Sequence, residues 1–216
     1  MTSRWFGLVI IVCMSLFALW AFPSIQTPVP IHSNETAQVD LWASPFEAVI
    51  LPPVLGLIFY SFMLANRPRR YLTAHEQYMD RISWLFLNIV LAVLCVMYMA
   101  LLGRSFGWVT EVRKAVVLAF GLATIILSFY LPKVRSHEWP GIRTPWTLSN
   151  SVIWNKTHCL AQWSFLVGGL MICGAAWLQK PYRRDLSMLG FIVAVVIPIL
   201  YSYIIWRRDI SRSRRR

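Results

Sequence analysis

The fold of this chain is decided by uncharged apolar runs, and residues 82–102 show the pattern: ISWLFLNIVLAVLCVMYMALL. The run is long enough to cross a bilayer, because a helix rises about 1.5 Å per residue and the hydrocarbon core is about 30 Å thick. It carries one amide, Asn88, among its apolar residues. We therefore predict a membrane-spanning helix here.

Five further runs have the same character. They are Trp5 to Phe22, about Ala48 to Ala65, Ala115 to Leu131, about Cys159 to Leu178, and Leu186 to Trp206. The composition agrees, since 57% of the 216 residues are apolar and 14% are charged, against about half and about a quarter in soluble domains. We predict an all-α, polytopic membrane protein whose six transmembrane helices form one bundle, without room for a large soluble domain.

The basic residues indicate how the helices are oriented. Lys and Arg number 21 and Asp and Glu number 9, a formal net charge of +12, which is typical either of nucleic-acid binding or of membrane topology. If the N-terminus is cytoplasmic, 15 of the 21 basic residues fall inside and 6 outside, and residues 24–45 contain none. Because Lys and Arg accumulate in cytoplasmic loops, we predict an N-in/C-in topology and no nucleic-acid partner.

This topology divides the chain into two predicted segments. Residues 1–65 hold the first two transmembrane helices, with an extracytoplasmic loop at 24–45. Residues 66–216 hold a four-helix membrane part, with a cytoplasmic motif loop at 132–158 and a basic tail at 207–216.

The outer loop contains residues that suit contact with a ligand. Pro28 and Pro30 impose an extended entry. An imidazole with carboxylates can bind a cation or the basic group of a peptide, but nothing in the spacing sets a metal geometry, so we assign no metal. A solvated loop anchored at the interface by its Trp is the alternative. The candidate contact residues are His32, Asn34, Asp40, Trp42 and Glu47.

The inner loop has the most specific sequence, because residues 139–158 read WPGIRTPWTLSNSVIWNKTH. Gly141 permits a tight turn, and the proline at position 145 keeps Thr144 extended. The pattern predicts a stiff loop that presents Arg143 beside Trp146. We expect Ser149 or Asn150 to cap the next helix, which begins near residue 151 and continues into the fifth span.

One face of that helix carries polar and aromatic groups into the membrane. Trp154, His158, Gln162 and Phe165 recur at helical spacing and line a single stripe. Packing is one interpretation, since polar groups at membrane depth face the bundle interior and find partners there. A docking or signalling surface formed by the loop and the stripe is the other.

The motif also resembles a known family. GIRTPWTL at 141–148, followed by Trp154 and by KTH at 156–158, is similar throughout to the signature of the SdpI-type bacterial immunity protein family. Residues 138–140, EWP, depart from the residues that family members often have there. The outer loop resembles the small domain of unknown function often joined to this family, with Pro30, His32, Asn34, Asp40 and Trp42 in matching places. Together the resemblance covers about residues 1–65 and 110–206.

This resemblance implies a role rather than a reaction. The namesake of the family protects its producing cell from a secreted toxic peptide and sequesters a transcriptional repressor at the membrane. Many other members have no known role. By resemblance we expect a multi-pass protein of the bacterial inner membrane with no enzymatic activity and no cofactor. Its expected partners are membrane lipid, a secreted toxin peptide outside and a cytosolic regulator inside. The candidate motif residues are Gly141, Arg143, Thr144, Pro145, Trp146, Trp154, Thr157 and His158.

Two other classes of protein remain as alternatives. A small transporter or channel would line its path with groups such as Glu47, Arg143, His158 and Gln162, but the span interiors hold almost no charge. A membrane enzyme would need His32 and His158 within hydrogen-bond reach of one site, whereas the predicted topology puts them on opposite faces. The sequence sets no oligomeric state.

Overall fold

The computed structural model describes residues 4–33, 39–66, 73–109, 111–135, 141–179 and 181–213. In chain order these residues form α1 (Arg4–Ala21), β1 (Val29–Ser33), β2 (Val39–Ala43), α2 (Pro45–Val49), α3 (Leu51–Ala65), α4 (Ala74–Ser105), α5 (Val112–Ser128), α6 (Pro145–Ser149), α7 (Ser151–Ala175), α8 (Tyr182–Phe191) and α9 (Ile197–Ser213). Short 3-10 turns follow α1 and α5, and a π-helical segment, Ile192–Val196, joins α8 to α9.

Five of the helical segments are long and apolar enough to cross a membrane. They are Arg4–Ser24, Glu76–Ser105, Val112–Lys133, Ser151–Ala175 and Tyr182–Asp209. The predicted class, a helical multi-pass membrane protein, is thereby confirmed. The remaining predicted run, 48–65, is also helical, but its main helix α3 has 15 residues and falls short of the other five.

The short length of α3 has a cause in the sequence. Pro52 and Pro53 have no N–H to donate, so the helical hydrogen-bond ladder is interrupted between α2 and α3. Ile50 nevertheless keeps helical dihedrals, with φ −93° and ψ −37°. The carbonyl of Val49, whose helical donor would be residue 53, accepts instead from the buried Tyr98 hydroxyl at 3.1 Å. The chain therefore continues through this point as an interrupted helix.

The outer segment contains a β-hairpin that the all-helical prediction did not include. β1 and β2 pair antiparallel, with Val29 opposite Ala43 and Pro30 opposite Trp42. The register shifts after Pro30, a position where proline cannot donate to the ladder. Val29 and Ala43 are buried with residues of α1, α2 and α4, so the hairpin is attached to the helices at its base.

The chain folds as two compact units. The first comprises residues 1–76 and 87–116, and the second comprises residues 77–86 and 117–216. In the first unit, Met14, Ala18, Tyr98 and Leu102 belong to one buried cluster. An aromatic group at the end of α1 and α4, Trp20, Phe106 and Trp108, stacks beside it.

The second unit is organised around α7. Gly168 lies against the backbone of α8, where a Cβ would collide with the carbonyl oxygen of Gly190. Its neighbour Gly169 lies against α5, and a Cβ there would stand 3.0 Å from the carbonyl oxygen of Gly121. Small residues let apolar helices approach at backbone distance. The opposite side of α7 exposes Trp163 and Leu170, as expected of a surface that faces lipid.

Candidate functional site

The motif of residues 141–158 folds into a compact cluster in the second unit, beginning with a turn at Gly141. Gly141 has φ +131°, a backbone conformation that L side chains rarely adopt. A Cβ at this position would lie 2.7 Å from His158 Nε2 and 2.9 Å from the Trp154 ring. Both the backbone conformation and the space therefore require glycine.

His158 holds this turn against α7 through both ring nitrogens. Its Nε2 accepts a hydrogen bond from the Ile142 N–H at 3.0 Å, and its Nδ1 lies 2.9 Å from the Trp154 carbonyl oxygen. These partners assign a neutral imidazole with its proton on Nδ1. The ring is buried and stacks on Trp154 with centroids 4.2 Å apart. In this arrangement neither nitrogen is available to a metal or a transferred proton.

Trp154 of α7 binds the start of the motif loop. Its indole N–H donates to the carbonyl of Val134 at 2.8 Å, and the whole side chain is buried. Val134 and Trp154 share a buried cluster with Met79 and Ile82 of α4. The motif loop is therefore held at its start by Trp154 and at Ile142 by His158.

Two threonines organise the short helix α6. Thr144 is extended, with φ −111° and ψ 159°, as the following proline predicts, and it caps α6. The buried Thr147 hydroxyl accepts from the Thr144 N–H at 2.9 Å and lies 2.8 Å from the Ile142 carbonyl oxygen, to which it can donate. Thr147 was absent from the predicted site residues, because the usual sequence signal for a reciprocal capping pair has Glu or Gln three positions after the cap, and here Thr147 takes that place.

Trp146 packs onto α9. Its indole N–H donates to the Ser202 hydroxyl at 2.6 Å, and Ser202 is completely buried. The ring meets Tyr203 edge-on at 5.3 Å between centroids and stacks on Trp206 at 5.7 Å. Arg143, predicted to stand beside it on a presented surface, is exposed. Ser202, Tyr203 and Trp206 were not identified from the sequence, since no local pattern links them to a residue more than fifty positions earlier.

Asn150 joins the start of α7 to the end of α9. Its Oδ1 accepts from the N–H groups of Val152 and Ile153 at 2.9 and 3.3 Å. Asn150 is thus the cap of α7, while the alternative Ser149 bonds the Trp146 carbonyl. The Asn150 Nδ2 donates to the Asp209 carboxylate at 3.3 Å.

The remaining motif and stripe residues occupy different environments. Pro145 is exposed in the first turn of α6, whereas Thr157 is fully buried. Thr157 Oγ1 has no hydrogen-bond partner among the described residues. Gln162 and Phe165, further along the predicted stripe, are half-buried.

The outer candidate residues do not gather at one point. His32 Nδ1 and Asp40 Oδ1 are 2.6 Å apart across the hairpin, and both side chains are exposed. The Glu47 carboxylate accepts from the Ser44 N–H at 2.8 Å and caps α2, and this hydrogen bond lowers the pKa of Glu47. Trp42 is 55% exposed, and Asn34 lies outside the described residues. Among the residues described, no three His, Cys, Asp or Glu side chains converge as metal ligands.

Comparison with known proteins supports the resemblance that the motif predicts. The SdpI/YfhL protein family matches residues 133–205, a range that includes the cluster from Val134 to Tyr203. The chain is 23% identical over 198 residues to the immunity protein SdpI of Bacillus subtilis (strain 168), an alignment covering 90% of this chain and 92% of that relative. No solved structure matches significantly. The resemblance of the outer loop to a separate small domain stays a prediction.

Proposed function

We propose that this protein is a non-enzymatic immunity protein of the bacterial inner membrane that protects the cell against a secreted antimicrobial peptide. The observation that carries the proposal is the agreement between the family match and the motif cluster. Residues 133–205 match the family, and within that range His158, Trp154 and Trp146 fix one loop against α7 and α9. A hydrogen-bonded, buried cluster of this kind suits a rigid recognition or coupling element better than an active site.

The proposed topology has six spans with both termini inside. α2 and α3 together run from Pro45 to Ala65, twenty-one residues or about 31 Å of helix at about 1.5 Å per residue. That length reaches across the roughly 30 Å hydrocarbon core, so we propose residues 48–65 of the interrupted helix as the second span, with Glu47 outside it at the outer membrane surface. The excess of Lys and Arg on one side supports this orientation.

In this topology the hairpin faces outward and the motif cluster faces the cytoplasm. The hairpin segment 24–45 contains no Lys or Arg, and its exposed His32–Asp40 pair and Trp42 offer polar and aromatic contacts to a peptide. On the inner side, Arg143 is the exposed charged residue of the motif, and we assign it contact with a cytosolic regulator. Trp146 acts by holding α9, since its indole N–H is bound to Ser202.

Deleting the gene and challenging the cells with a panel of secreted peptide toxins tests the proposal. We expect increased sensitivity to at least one peptide, restored by the wild-type gene. Arg143→Ala, at an exposed position, is expected to reach the membrane in normal amounts and to lose the regulatory part of the response, while His32→Ala is expected to weaken protection. Unchanged sensitivity across the panel would refute the immunity role.

Reporter fusions test the topology separately. Alkaline phosphatase is active only outside the cytoplasm, so a fusion after Ser44 is expected to be active and a fusion after Ser149 inactive. The reverse pattern would invert the assignment of hairpin and motif cluster. The alternative of a transporter is not favoured, because the His158 nitrogens are both occupied and the family match points to immunity.

A further inference from the structure

The cytoplasmic end of α9 carries an arginine on an aromatic floor. The floor consists of Trp146, Tyr203 and Trp206, whose ring centroids lie 5.3 to 5.8 Å apart. Arg207 Nη1 donates to the Tyr203 hydroxyl at 3.1 Å, and its guanidinium carbon stands 5.9 Å from the centre of that ring. These contacts hold the exposed guanidinium beside the aromatic group.

The neighbouring carboxylate is hydrogen-bonded to Asn150 and not paired with these arginines. Asp209 is one residue from Arg208, yet its carboxylate accepts from Asn150 Nδ2 at 3.3 Å. Within the described part of the chain, neither Arg207 nor Arg208 forms an ion pair with a carboxylate. By contrast, Arg184 at the other end of this helical segment pairs with Asp185 at 3.1 Å. Among the described residues, the two arginines at the end of α9 are therefore not held in an ion pair and can meet an anion from outside the protein.

We propose that Arg207, held by Tyr203, and its neighbour Arg208 bind the phosphate of an anionic phospholipid headgroup beside the aromatic group of Trp146, Tyr203 and Trp206. The candidate span Tyr182–Asp209 ends at these residues, so they lie at the level of the headgroups, where Trp and Tyr are enriched. Guanidinium groups match phosphate oxygens in geometry and charge. Six of the last ten residues of the chain are arginine, which adds attraction of the same sign. The proposal depends on α9 spanning the membrane and is independent of the immunity role.

The motif loop gains a second role from this arrangement. Trp146 is fixed by Ser202 and supports both Tyr203 and Trp206, and Asn150 holds Asp209. The loop thereby contributes Trp146 to the aromatic floor and a hydrogen-bond donor to the Asp209 carboxylate. Its residues act as positioning residues for the lipid site.

Thermal denaturation of the full-length protein in a neutral detergent tests the site, with short-chain phosphatidylglycerol, short-chain phosphatidylcholine or inorganic phosphate added. A ligand that binds the folded state raises the melting temperature with its concentration, so we expect phosphatidylglycerol to raise it and the other two to leave it nearly unchanged. Arg207→Gln/Arg208→Gln is expected to weaken the apparent affinity for phosphatidylglycerol by roughly 25-fold, about five-fold for each cation.

Two further variants distinguish a built site from general attraction. Arg183→Gln/Arg184→Gln removes the same charge from the other end of the segment and is expected to keep the response to phosphatidylglycerol. Tyr203→Phe keeps the charge and the ring but removes the hydroxyl that holds Arg207, and it is expected to weaken the response measurably. Both arginines and Tyr203 are exposed, so these variants leave the buried core intact.

The outcomes that overturn the proposal are distinct. Equal losses in the two double variants would show nonspecific attraction by net charge. An equal response to inorganic phosphate would show a free-anion site instead of a lipid site. A full melting-temperature response to phosphatidylglycerol in Arg207→Gln/Arg208→Gln would show that the lipid does not bind at this surface. The two arginines would then be candidates for contact with an acidic protein partner. Each of these results is separate from the toxin-challenge result.

Discussion

Replacing Gly141 by alanine is the most direct test of how the motif cluster is built. Two costs combine at this residue. Holding a non-glycine residue in a sparsely populated backbone region costs on the order of 1–3 kcal/mol. The new Cβ would also displace the His158 ring, from which it stands only 2.7 Å. Leaving the buried Nε2 and the Ile142 N–H unpaired costs about 1–3 kcal/mol more. We expect Gly141→Ala to lower the free energy of unfolding by roughly 2–6 kcal/mol, a large part of the 5–15 kcal/mol typical of folded proteins.

The chain offers two matched controls for this substitution. Gly107 also has a positive φ, +75°, but nothing lies within 4 Å of its Cβ position, so Gly107→Ala measures backbone strain without the collision. Gly174 is helical and equally open, and Gly174→Ala is expected to be neutral or stabilising, by up to about 1 kcal/mol.

The assay is unfolding of the purified protein in mixed micelles, together with protection of cells against a toxin that the wild type resists. We expect Gly141→Ala to be less stable than Gly107→Ala, because the collision with His158 adds to a backbone strain that is at least as large at φ +131° as at φ +75°, and to lose protection. If the unfolding free energies of the two variants lie within about 0.5 kcal/mol of each other, the collision with His158 and Trp154 contributes nothing. The described packing of the loop would then be wrong.

Three further predictions follow from single contacts. Asn150→Asp keeps the cap of α7 but places a second carboxylate against Asp209, so trypsin is expected to cleave after Arg207 and Arg208 roughly five-fold faster, equivalent to about 1 kcal/mol. Asn150→Asp/Asp209→Asn exchanges the donor and the acceptor and is expected to restore the wild-type cleavage rate. A double variant cleaved as fast as the single one would rule out the link between α7 and α9. Ser202→Ala leaves the Trp146 indole N–H without its acceptor and is expected to lower the free energy of unfolding by about 1–3 kcal/mol in the same assay. Ser211→Ala, at an exposed position on the same helix, is the control. Equal stability of the two variants would contradict the assigned hydrogen bond. The Glu47 pKa lies below its usual value of 4.5 because the carboxylate accepts from Ser44, so its stabilising effect is fully present above about pH 4.5 and is lost as the pH falls through the lower folded-state pKa. The difference in unfolding free energy between wild type and Glu47→Ala is therefore expected to be constant from pH 5 to 7 and to shrink below pH 4.5. A difference that grows on acidification would show the opposite linkage.

Local rules were sufficient for the helices and for the backbone of the motif. Apolar runs of spanning length predicted helices at all six places, because the cost of exposing backbone groups to lipid leaves a helix as the economical form. The turn at Gly141, the extended Thr144 before proline and the cap by Asn150 are also set by neighbouring residues. The hairpin was missed because it is short, contains proline in its first strand and lacks a two-residue turn signal.

The sequence by itself determined which segments form long apolar helices and how the motif backbone bends, since hydropathy and local dihedral preferences act over a few residues. Only the tertiary structure decided what the motif side chains do. Trp146 and Arg143 are near neighbours in a stiff loop, but the indole N–H finds Ser202 on a helix more than fifty residues away, while the Arg143 side chain is exposed. The predicted surface pair therefore separates into one residue that packs and one that faces out. The physical reason is that a buried N–H must find an acceptor, and which acceptor lies within reach depends on how α7 and α9 pack, information that no local pattern carries.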